Sequence, residues 1–332
     1  MCGIVGFVGR EEASPILLDG LSRLEYRGYD SAGIAVYDPK LGLQVEKAKG
    51  RLKVLYDLTK GGSTVHGHTR WATHGEPSDV NSHPQVSQDG RFAVVHNGII
   101  ENYVALREFL QSEGVRFVSQ TDTEVVAQLL EYYYKGDLLD AVVKTLSRIQ
   151  GAYALGILCA DCPDRLIAVR KDSPLILGFG QGAHYLASDV TALIKYTRDV
   201  CYLDDGEIAE LTPDHLWVYD SYLRPVEKEH HHVDWEISAA EKGGYEHFMA
   251  KEIMEQPEAI RKTISPRIQD GRVVLEGLSF TAQDIRDMDK LCIIACGSSY
   301  HVGMNAKYIL EKLLRKPVEV TLASEFRYCD PI

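Results

Sequence analysis

The sequence predicts an α+β protein in two parts, stacked sheets flanked by helices and then the start of an α/β domain. Between residues 4 and 219, many runs of strand length alternate with a few amphipathic helices, as in layered sheets covered by helices. Further on, Leu291–Ala295, Tyr300–Leu314 and Val318–Leu322 predict a strand, a helix and a strand, the opening of a parallel-sheet unit. Charge, three histidines and a Gly-Gly pair place the boundary at 227–245. We therefore expect domains at 2–226 and 246–332, joined by a linker at 227–245.

Within the first part, turn and cap residues divide the elements. Ser14-Pro15 predicts a helix N-cap followed by Pro at the first helical position. Asn97-Gly98 predicts a turn that ends the strand Phe92–His96. Three helices are expected near Glu101–Glu113, Glu124–Tyr134 and Leu138–Ile149. The other predicted strands are Ile4–Val8, Ala32–Tyr37, Tyr153–Cys159, Leu166–Val169, Leu175–Leu177, His184–Ala187, Glu207–Leu211 and Leu216–Tyr219.

Composition and charge exclude several function classes. The formal net charge of −12 over 332 residues argues against nucleic acid or an anionic membrane as a partner, because the protein would repel phosphate. Local basic pockets leave small phosphorylated substrates open. No stretch reaches the roughly 20 apolar residues of a membrane span, and no signal peptide is recognisable at the start. Seven scattered cysteines favour reduced thiols and a cytoplasmic location.

Cys2 is a candidate nucleophile because it follows the initiator Met. Removal of Met1 would leave a free α-amine on the residue that carries the thiol. The amine has a pKa of about 8 and the thiol about 8.5, so the amine can take the thiol proton and later return it to departing ammonia. A cysteine at position 2, taken alone, is more often a small residue that begins a buried strand than a nucleophile. Gly3 and Gly6 indicate close backbone approach or a bulge.

Three downstream positions have the chemistry to bind an amide substrate. Arg70 offers a planar guanidinium that can clamp a carboxylate through two hydrogen bonds. Asn97 and Gly98 could supply a side-chain amide and a backbone N–H to an oxyanion. Asp122 could bind a substrate ammonium, although an acidic residue just before a helix is more often an ordinary N-terminal residue of that helix.

These motifs occur in an order that resembles the class II glutamine amidotransferases. The resemblance rests on five segments, which are Met1–Gly6, Leu24–Gly33, His68–Gly75, His96–Gly98 and Thr121–Glu124. The longer strings Thr73–Ser78 and Asn97–Asn102 make it strongest to the glutamine–fructose-6-phosphate aminotransferases, rather than to amidophosphoribosyltransferases or asparagine synthetases. It implies a four-layer αββα fold of the N-terminal-nucleophile (Ntn) hydrolases.

The resemblance also implies residue roles. It makes Cys2 the nucleophile and Asn97 and Gly98 the oxyanion donors. Glutamine-binding residues fall on Arg70, Thr73, His74, Gly98 and Asp122. Trp71 matches a tryptophan associated with the ammonia channel, and Tyr29 lies in a loop that covers glutamine. In such enzymes ammonia from L-glutamine converts fructose 6-phosphate to glucosamine 6-phosphate for the UDP-N-acetylglucosamine pathway. The full-length enzyme is expected to be a homodimer, and no cofactor or metal is expected.

The second part has a candidate phosphate-binding segment. Cys296–Ser299 is predicted as a loop before a helix, where small residues, hydroxyls and the helix N-terminus suit a phosphate, although an ordinary tight turn is also compatible. The resemblance makes it the start of a sugar isomerase (SIS) domain, with Ser298 and Ser299 at the sugar-phosphate site. Family members continue into a second isomerase subdomain. We therefore expect a truncated chain that hydrolyses glutamine without making glucosamine 6-phosphate.

Some signals are set aside, and other functions stay open. Cys159 and Cys162 have CxxC spacing without a second pair for zinc. The run His230–His232 is expected in a solvated linker, and four histidines near the motifs, His66, His68, His83 and His96, are interpreted as structural. The alternatives are an amidotransferase with another sugar-phosphate acceptor, a non-catalytic glutamine or sugar-phosphate sensor, and an Ntn hydrolase of another amide.

Overall fold

The chain forms two compact units, Met1–Glu252 and Ile253–Ile332. The computed structural model describes residues 2–25, 30–56, 64–70, 74–234, 244–275, 278 and 280–331. Within these ranges, no helix is long and apolar enough to cross a membrane. The division at Glu252 falls within a helix, and the domain limits expected from the sequence stay a prediction.

The first unit contains fourteen strands among its described residues. In chain order they are β1 (Gly3–Gly9), β2 (Ser31–Asp38), β3 (Gly42–Lys49), β4 (Thr64–Arg70), β5 (Gln85–Val86), β6 (Phe92–Ile100), β7 (Gly151–Cys159), β8 (Leu166–Lys171), β9 (Ile176–Phe179), β10 (Ala183–Ala187), β11 (Asp199–Tyr202), β12 (Ile208–Leu211), β13 (Leu216–Tyr219) and β14 (His231–His232). Its helices are α1 (Ala13–Leu24), α2 (Lys53–Tyr56), α3 (Tyr103–Ser112), α4 (Thr123–Tyr133) and α5 (Leu138–Leu146), with a 3₁₀ turn at Val190–Ala192.

These strands form two antiparallel sheets. The larger has the order β14-β11-β9-β10-β1-β4-β2-β3, and the smaller has the order β13-β12-β8-β7-β6-β5. The N-terminal strand β1 is therefore internal to the larger sheet, paired with β10 on one side and with β4 on the other. Strand β6 is internal to the smaller sheet and pairs with β7 from Phe92↔Cys159 to Ile100↔Gly151.

Three buried clusters arrange the sheets and helices in four layers. Alternate residues of β1 face opposite sides, as the period of two in a strand requires. Ile4 and Val8 pack between the sheets against Ala93, Ala154 and other residues of the smaller sheet. Val5 and Phe7 instead pack with the apolar residues of α1. The outer face of the smaller sheet packs against α3, α4 and α5. The layers are thus α, β, β and α, which confirms the fold class.

Two local predictions differ from the structure. Helix α1 begins at Ala13 and is flanked by Glu12, so Ser14 and Pro15 lie inside its first turn. Proline is tolerated there because the first N–H groups of a helix have no intrahelical partner. Asn97-Gly98 does not end the strand, because β6 continues to Ile100. Gly98 has φ +133°, which lets the backbone distort locally while pairing with β7 is maintained.

The predicted linker contributes to the first unit. Lys228 Nζ lies 2.8 Å from both Asp204 Oδ2 and Glu207 Oε2, and burial opposes the rise in the pKa of Lys228 that these carboxylates cause. His231 and His232 are exposed but form β14 beside β11. The segment up to Val233 therefore packs on the larger sheet.

The second unit begins a parallel sheet. Strands β17 (Leu291–Ala295) and β18 (Val318–Leu322) pair in parallel from Leu291↔Val318 to Ala295↔Leu322 and are connected by α8 (Gly297–Leu314). This confirms the predicted β-α-β unit. Helix α6 (Phe248–Ile264) contains the division between the two units. The remaining described elements of the second unit are a 3₁₀ turn (Ser265–Arg267), β15 (Ile268–Gln269), β16 (Arg272–Val273), α7 (Ala282–Asp287) and α9 (Ala323–Tyr328).

Candidate active site

Cys2 is placed by the first strand of the larger sheet. It directly precedes β1 and is half-buried. Ile4 is anchored by Ser188, whose hydroxyl accepts the Ile4 N–H at 3.0 Å and whose own N–H donates to the Ile4 carbonyl at 3.0 Å. Gly3 pairs with Thr69 of β4, and this register, extended by one residue, places the backbone of Arg70 opposite Cys2. The backbones of the candidate nucleophile and the candidate carboxylate clamp thus lie at the same end of the paired strands β1 and β4.

Asn97 reaches Cys2 from the other sheet. Its Nδ2 atom donates to the Cys2 carbonyl oxygen at 3.2 Å, across 95 positions of sequence. An amide nitrogen carries two hydrogens, so this bond is compatible with a second donation to a substrate oxygen. Gly98 pairs with Tyr153, and a Cβ atom at Gly98 would lie 2.0 Å from the Ala152 carbonyl oxygen. Glycine is therefore required at the second predicted oxyanion position.

Asp122 is directed into the site and does not cap its own helix. It precedes α4 with helical dihedral angles, and its side chain makes no capping hydrogen bond. Its Oδ2 atom instead accepts the Ile100 N–H at 2.8 Å, and the residue is only 4% exposed. A buried carboxylate at the end of β6 can attract a substrate ammonium, because burial strengthens its field. Asp122 is thus the N-cap residue of α4 by position, but its carboxylate bonds to β6 instead of capping the helix.

Two histidines flank the Asp122 carboxylate. His74 Nδ1 lies 3.7 Å from Asp122 Oδ1, and His96 Nδ1 lies 3.9 Å from Asp122 Oδ2. His96 Nδ1 is also 2.9 Å from the Thr123 hydroxyl. Burial lowers the pKa of His96, an effect that the Asp122 charge opposes. A neutral His96 adds no positive charge beside Asp122 Oδ2.

Several predicted site residues fall outside the described part of the chain. Tyr29, Trp71 and Thr73 lie there, and for Arg70 the structure describes the backbone. Of the predicted glutamine site, the structure therefore brings Cys2, Asn97, Gly98, His74 and Asp122 to the neighbouring ends of β1, β6 and α4. The roles expected of these residues stay predictions.

Ser298 and Ser299 lie in the second unit. Both are exposed and belong to the first turn of α8, so the expected loop is already helical from Gly297. The turn follows the carboxyl end of β17, where ligands bind in parallel α/β sheets. Their placement is compatible with a phosphate site, and their role stays a prediction.

Three residues that support the site were not identified from the sequence. Ser188 anchors β1, and Asn81 joins two loops beside Asp122. Glu124 is fully buried and accepts the N–H groups of Val118 and Ser119 at 2.9 and 2.6 Å. A weak signal existed for Glu124 alone, because an acidic residue in the first turn of a helix often accepts N–H groups there.

The cysteines and the candidate metal ligands add no second site. All seven cysteines lie in the described ranges, and none forms a disulfide. Burial raises the pKa of the Cys159 thiol to about 12, which makes it a poor nucleophile at neutral pH. Among the residues described here, no group of three or more His, Cys, Asp or Glu side chains is arranged to hold a metal ion.

Comparison with known proteins agrees with this geometry. Residues 68–195 match the glutamine amidotransferase domain family, and residues 284–330 match the SIS domain family. A solved glutamine phosphoribosylpyrophosphate amidotransferase from B. subtilis, complexed with ADP and GMP, covers 96% of this chain and 65% of its own at 22% identity and TM-score 0.61. A solved allosteric regulatory enzyme of purine biosynthesis covers 66% of this chain and 49% of its own at 29% identity and TM-score 0.58. The first unit is thus a glutamine amidotransferase domain with an Ntn-hydrolase fold.

Curated relatives resolve the family further. Glutamine–fructose-6-phosphate aminotransferases (isomerizing) from Caldanaerobacter subterraneus and Clostridium acetobutylicum are 55% and 53% identical to this chain over its whole length. The chain belongs to the family of these aminotransferases. It spans 55% of the length of these two relatives.

Proposed function

We propose that the first unit hydrolyses L-glutamine to glutamate and ammonia, with Cys2 as the nucleophile. The observation that carries the proposal is the hydrogen bond from Asn97 Nδ2 to the Cys2 carbonyl. It joins the internal strand of one sheet to an internal strand of the other. A side-chain amide beside a half-buried thiol is suited to stabilise the oxyanion of an acyl-transfer reaction.

The proposed reaction begins after removal of Met1. The Cys2 α-amine takes the thiol proton, and the sulfur attacks the side-chain amide carbon of glutamine. The carbonyl oxygen becomes an oxyanion that accepts hydrogen bonds from Asn97 Nδ2 and the Gly98 N–H. The α-ammonium then donates its proton to the nitrogen, the C–N bond breaks and ammonia leaves a thioester. Water adds to the thioester, and glutamate departs as the thiol is restored.

Glutamine would be held at its amino-acid end. Asp122 would pair with the substrate ammonium, while Arg70, Thr73 and His74 would bind near its carboxylate. Cys2 directly precedes β1, Asn97 lies in β6 and Arg70 ends β4, whereas His74 lies in a loop and Asp122 directly precedes α4. Tyr29 would lie in the loop that covers glutamine, and Trp71 would gate the ammonia channel.

For the full-length protein we propose transfer of this ammonia to fructose 6-phosphate, giving glucosamine 6-phosphate. The 55% identity to aminotransferases of that name supports the proposal, and Ser298 and Ser299 would contribute to the sugar-phosphate site. A cytoplasmic location and a homodimer complete the proposal. The seven cysteines outside disulfides support a reducing compartment, and sedimentation of the full-length protein would test the dimer.

Release of glutamate from glutamine tests the proposed hydrolysis. The wild-type chain should release glutamate, and Cys2→Ala should lose this activity. Cys162→Ala is the matched control because Cys162 is also half-buried but lies away from Asn97, so it should retain wild-type rates. Equal rates for wild type and Cys2→Ala would refute the nucleophile. Binding of glutamine without turnover by the wild type would instead support a sensor.

The mass of the intact chain tests the proposed base. An active chain should lack Met1, because Met1 would convert the α-amine into an amide nitrogen that cannot accept the proton. Full activity in a chain that retains Met1 would refute this step while leaving Cys2 as the nucleophile.

A further inference from the structure

Asn81 is a buried amide that connects two loops. It is 3% exposed. Its Oδ1 atom accepts the Gln120 N–H at 2.9 Å, and its Nδ2 atom donates to Gln120 Oε1 at 3.2 Å and to the Glu76 carbonyl at 3.0 Å. Both donor hydrogens of the amide are thus used, together with its oxygen. The side chain is a cross-link between residue 76 and residue 120.

Each connected loop carries a residue of the candidate glutamine site. His74 lies two residues before Glu76, and Asp122 lies two residues after Gln120. The two side chains approach to 3.7 Å between His74 Nδ1 and Asp122 Oδ1. Because the cross-link lies so close to both residues in the chain, it constrains the distance between them.

Gly75 brings the His74 turn directly against the Asn81 amide. Its φ of +73° is in the left-handed region that favours glycine, and a Cβ atom there would lie 2.6 Å from Asn81 Nδ2. The backbone of the turn therefore packs on the amide without an intervening side chain. Loss of the Asn81 side chain should therefore shift the position of this turn and of His74, which directly precedes Gly75.

The two loops are also anchored separately, on different elements. Asp79 Oδ1 accepts the Lys49 N–H at 2.7 Å, and the Val80 carbonyl accepts from Lys47 Nζ at 3.2 Å. These bonds hold the first loop on β3. The buried Glu124 of α4 holds the second loop through Val118 and Ser119. Loss of the Asn81 cross-link should therefore alter the spacing of the loops while each keeps its own anchor.

We infer that Asn81 is a positioning residue that sets the separation of His74 and Asp122 and thereby the affinity of the site for glutamine. The inference rests on the proposed glutaminase function. The bonds of Asn81 run to residues 76 and 120, whereas Cys2 and Asn97 are held by β1 and β6. Its loss should weaken binding of the ground state and the transition state equally, which raises KM and leaves kcat unchanged.

Steady-state glutaminase kinetics of the full chain test this role. Asn81→Ala should raise KM for glutamine roughly tenfold, as expected for loss of its three part-buried hydrogen bonds, with kcat within about twofold. Asn81→Asp keeps the acceptor for the Gln120 N–H but places an oxygen opposite the Glu76 carbonyl, so its KM should also rise. Alkylation of Cys2 by iodoacetamide, which does not require the glutamine pocket, should proceed at the wild-type rate in both variants.

Ser82→Ala is the matched control. Ser82 is fully buried in the same loop, and its hydroxyl donates within that loop to the Ser78 carbonyl at 2.7 Å. It should lower thermal stability without changing KM. Gln120→Ala removes one partner of Asn81 from an exposed position, so it should fold even if Asn81→Ala does not, and it should raise KM roughly threefold.

Several outcomes would overturn the inference. One is a KM in Asn81→Asp and Gln120→Ala that equals the wild-type value. A second is a fall in kcat at constant KM in the Asn81 variants. A third is a rise in KM that is as large in Ser82→Ala as in Asn81→Ala. A wild-type chain that releases no glutamate would remove the proposed function together with this role. An active wild type with an unchanged KM in the Asn81 variants would remove only the role of Asn81.

Discussion

Substitution of Gly98 tests the candidate oxyanion position through its geometry. Gly98→Ala must adopt a φ of +133° and place its Cβ atom 2.0 Å from the Ala152 carbonyl oxygen. The backbone conformation costs about 1–3 kcal/mol for a residue with a side chain. Relief of the overlap by moving β6 from β7 costs about 1–3 kcal/mol more. The total of about 2–6 kcal/mol is a large share of the usual 5–15 kcal/mol of stability.

Gly136→Ala separates the two contributions. Gly136 also has a positive φ, +99°, but no atom lies within 4 Å of a Cβ atom built there. This control should therefore carry the conformational cost alone. In urea unfolding, Gly98→Ala should be less stable than Gly136→Ala by about 1–3 kcal/mol. It should also lose glutaminase activity because Asn97 moves with β6. Equal stability of the two variants, or wild-type activity in Gly98→Ala, would refute the reasoning.

Three further substitutions or conditions have defined outcomes. Ser188→Ala removes the acceptor of the buried Ile4 N–H, so thermal unfolding should show a loss of about 1–3 kcal/mol, and an unchanged melting temperature would contradict this anchor. Glu124→Gln weakens two hydrogen bonds to a buried carboxylate and should cost about 2–4 kcal/mol in urea unfolding; a neutral effect would contradict the role of its charge. Burial lowers the pKa of His96 below 6.5, so the unfolded chain takes up a proton that the folded chain excludes. Stability in urea unfolding should thus fall as the pH drops from 6.5 to 5, and His96→Gln should show a smaller fall; an equal fall in the two proteins would contradict this contribution of His96.

The sequence predicted those helices and strands in which buried positions leave a clear pattern of apolar residues. Strands β1 and β17 are apolar runs, and α5 places its buried residues at helical spacing, so these elements were expected close to their observed bounds. Strand β3 was missed because its residues are mostly half-buried or exposed, which leaves little apolar pattern. The predicted end of β6 at His96 was wrong. Asn-Gly often forms a turn, but here pairing with β7 keeps Asn97 and Gly98 extended.

The candidate site shows a similar division. Cys2, Asn97 and Asp122 have side-chain chemistry that is informative in any fold, and they were identified from residue type and motif. The orientation of Asp122 could not be predicted, because it depends on the Ile100 N–H 22 positions earlier. Ser188 was missed for the same reason, since its partner Ile4 lies 184 positions away. Positioning residues are defined by such contacts rather than by their own sequence pattern.

Gly6 explains how a hydrogen bond beside Cys2 can cross between the two sheets. From sequence, Gly6 indicated either a bulge or a close approach of the backbone, and the structure decides for close approach. Gly6 lies between Ile4 and Val8 on the inner face of β1, and a Cβ atom there would come within 2.8 Å of Leu166 Cδ2 in the smaller sheet. Any larger residue would press the sheets apart, because packed interiors transmit such strain. The Asn97–Cys2 hydrogen bond spans the same gap at 3.2 Å, so the site depends on an inner core whose side chains stay small.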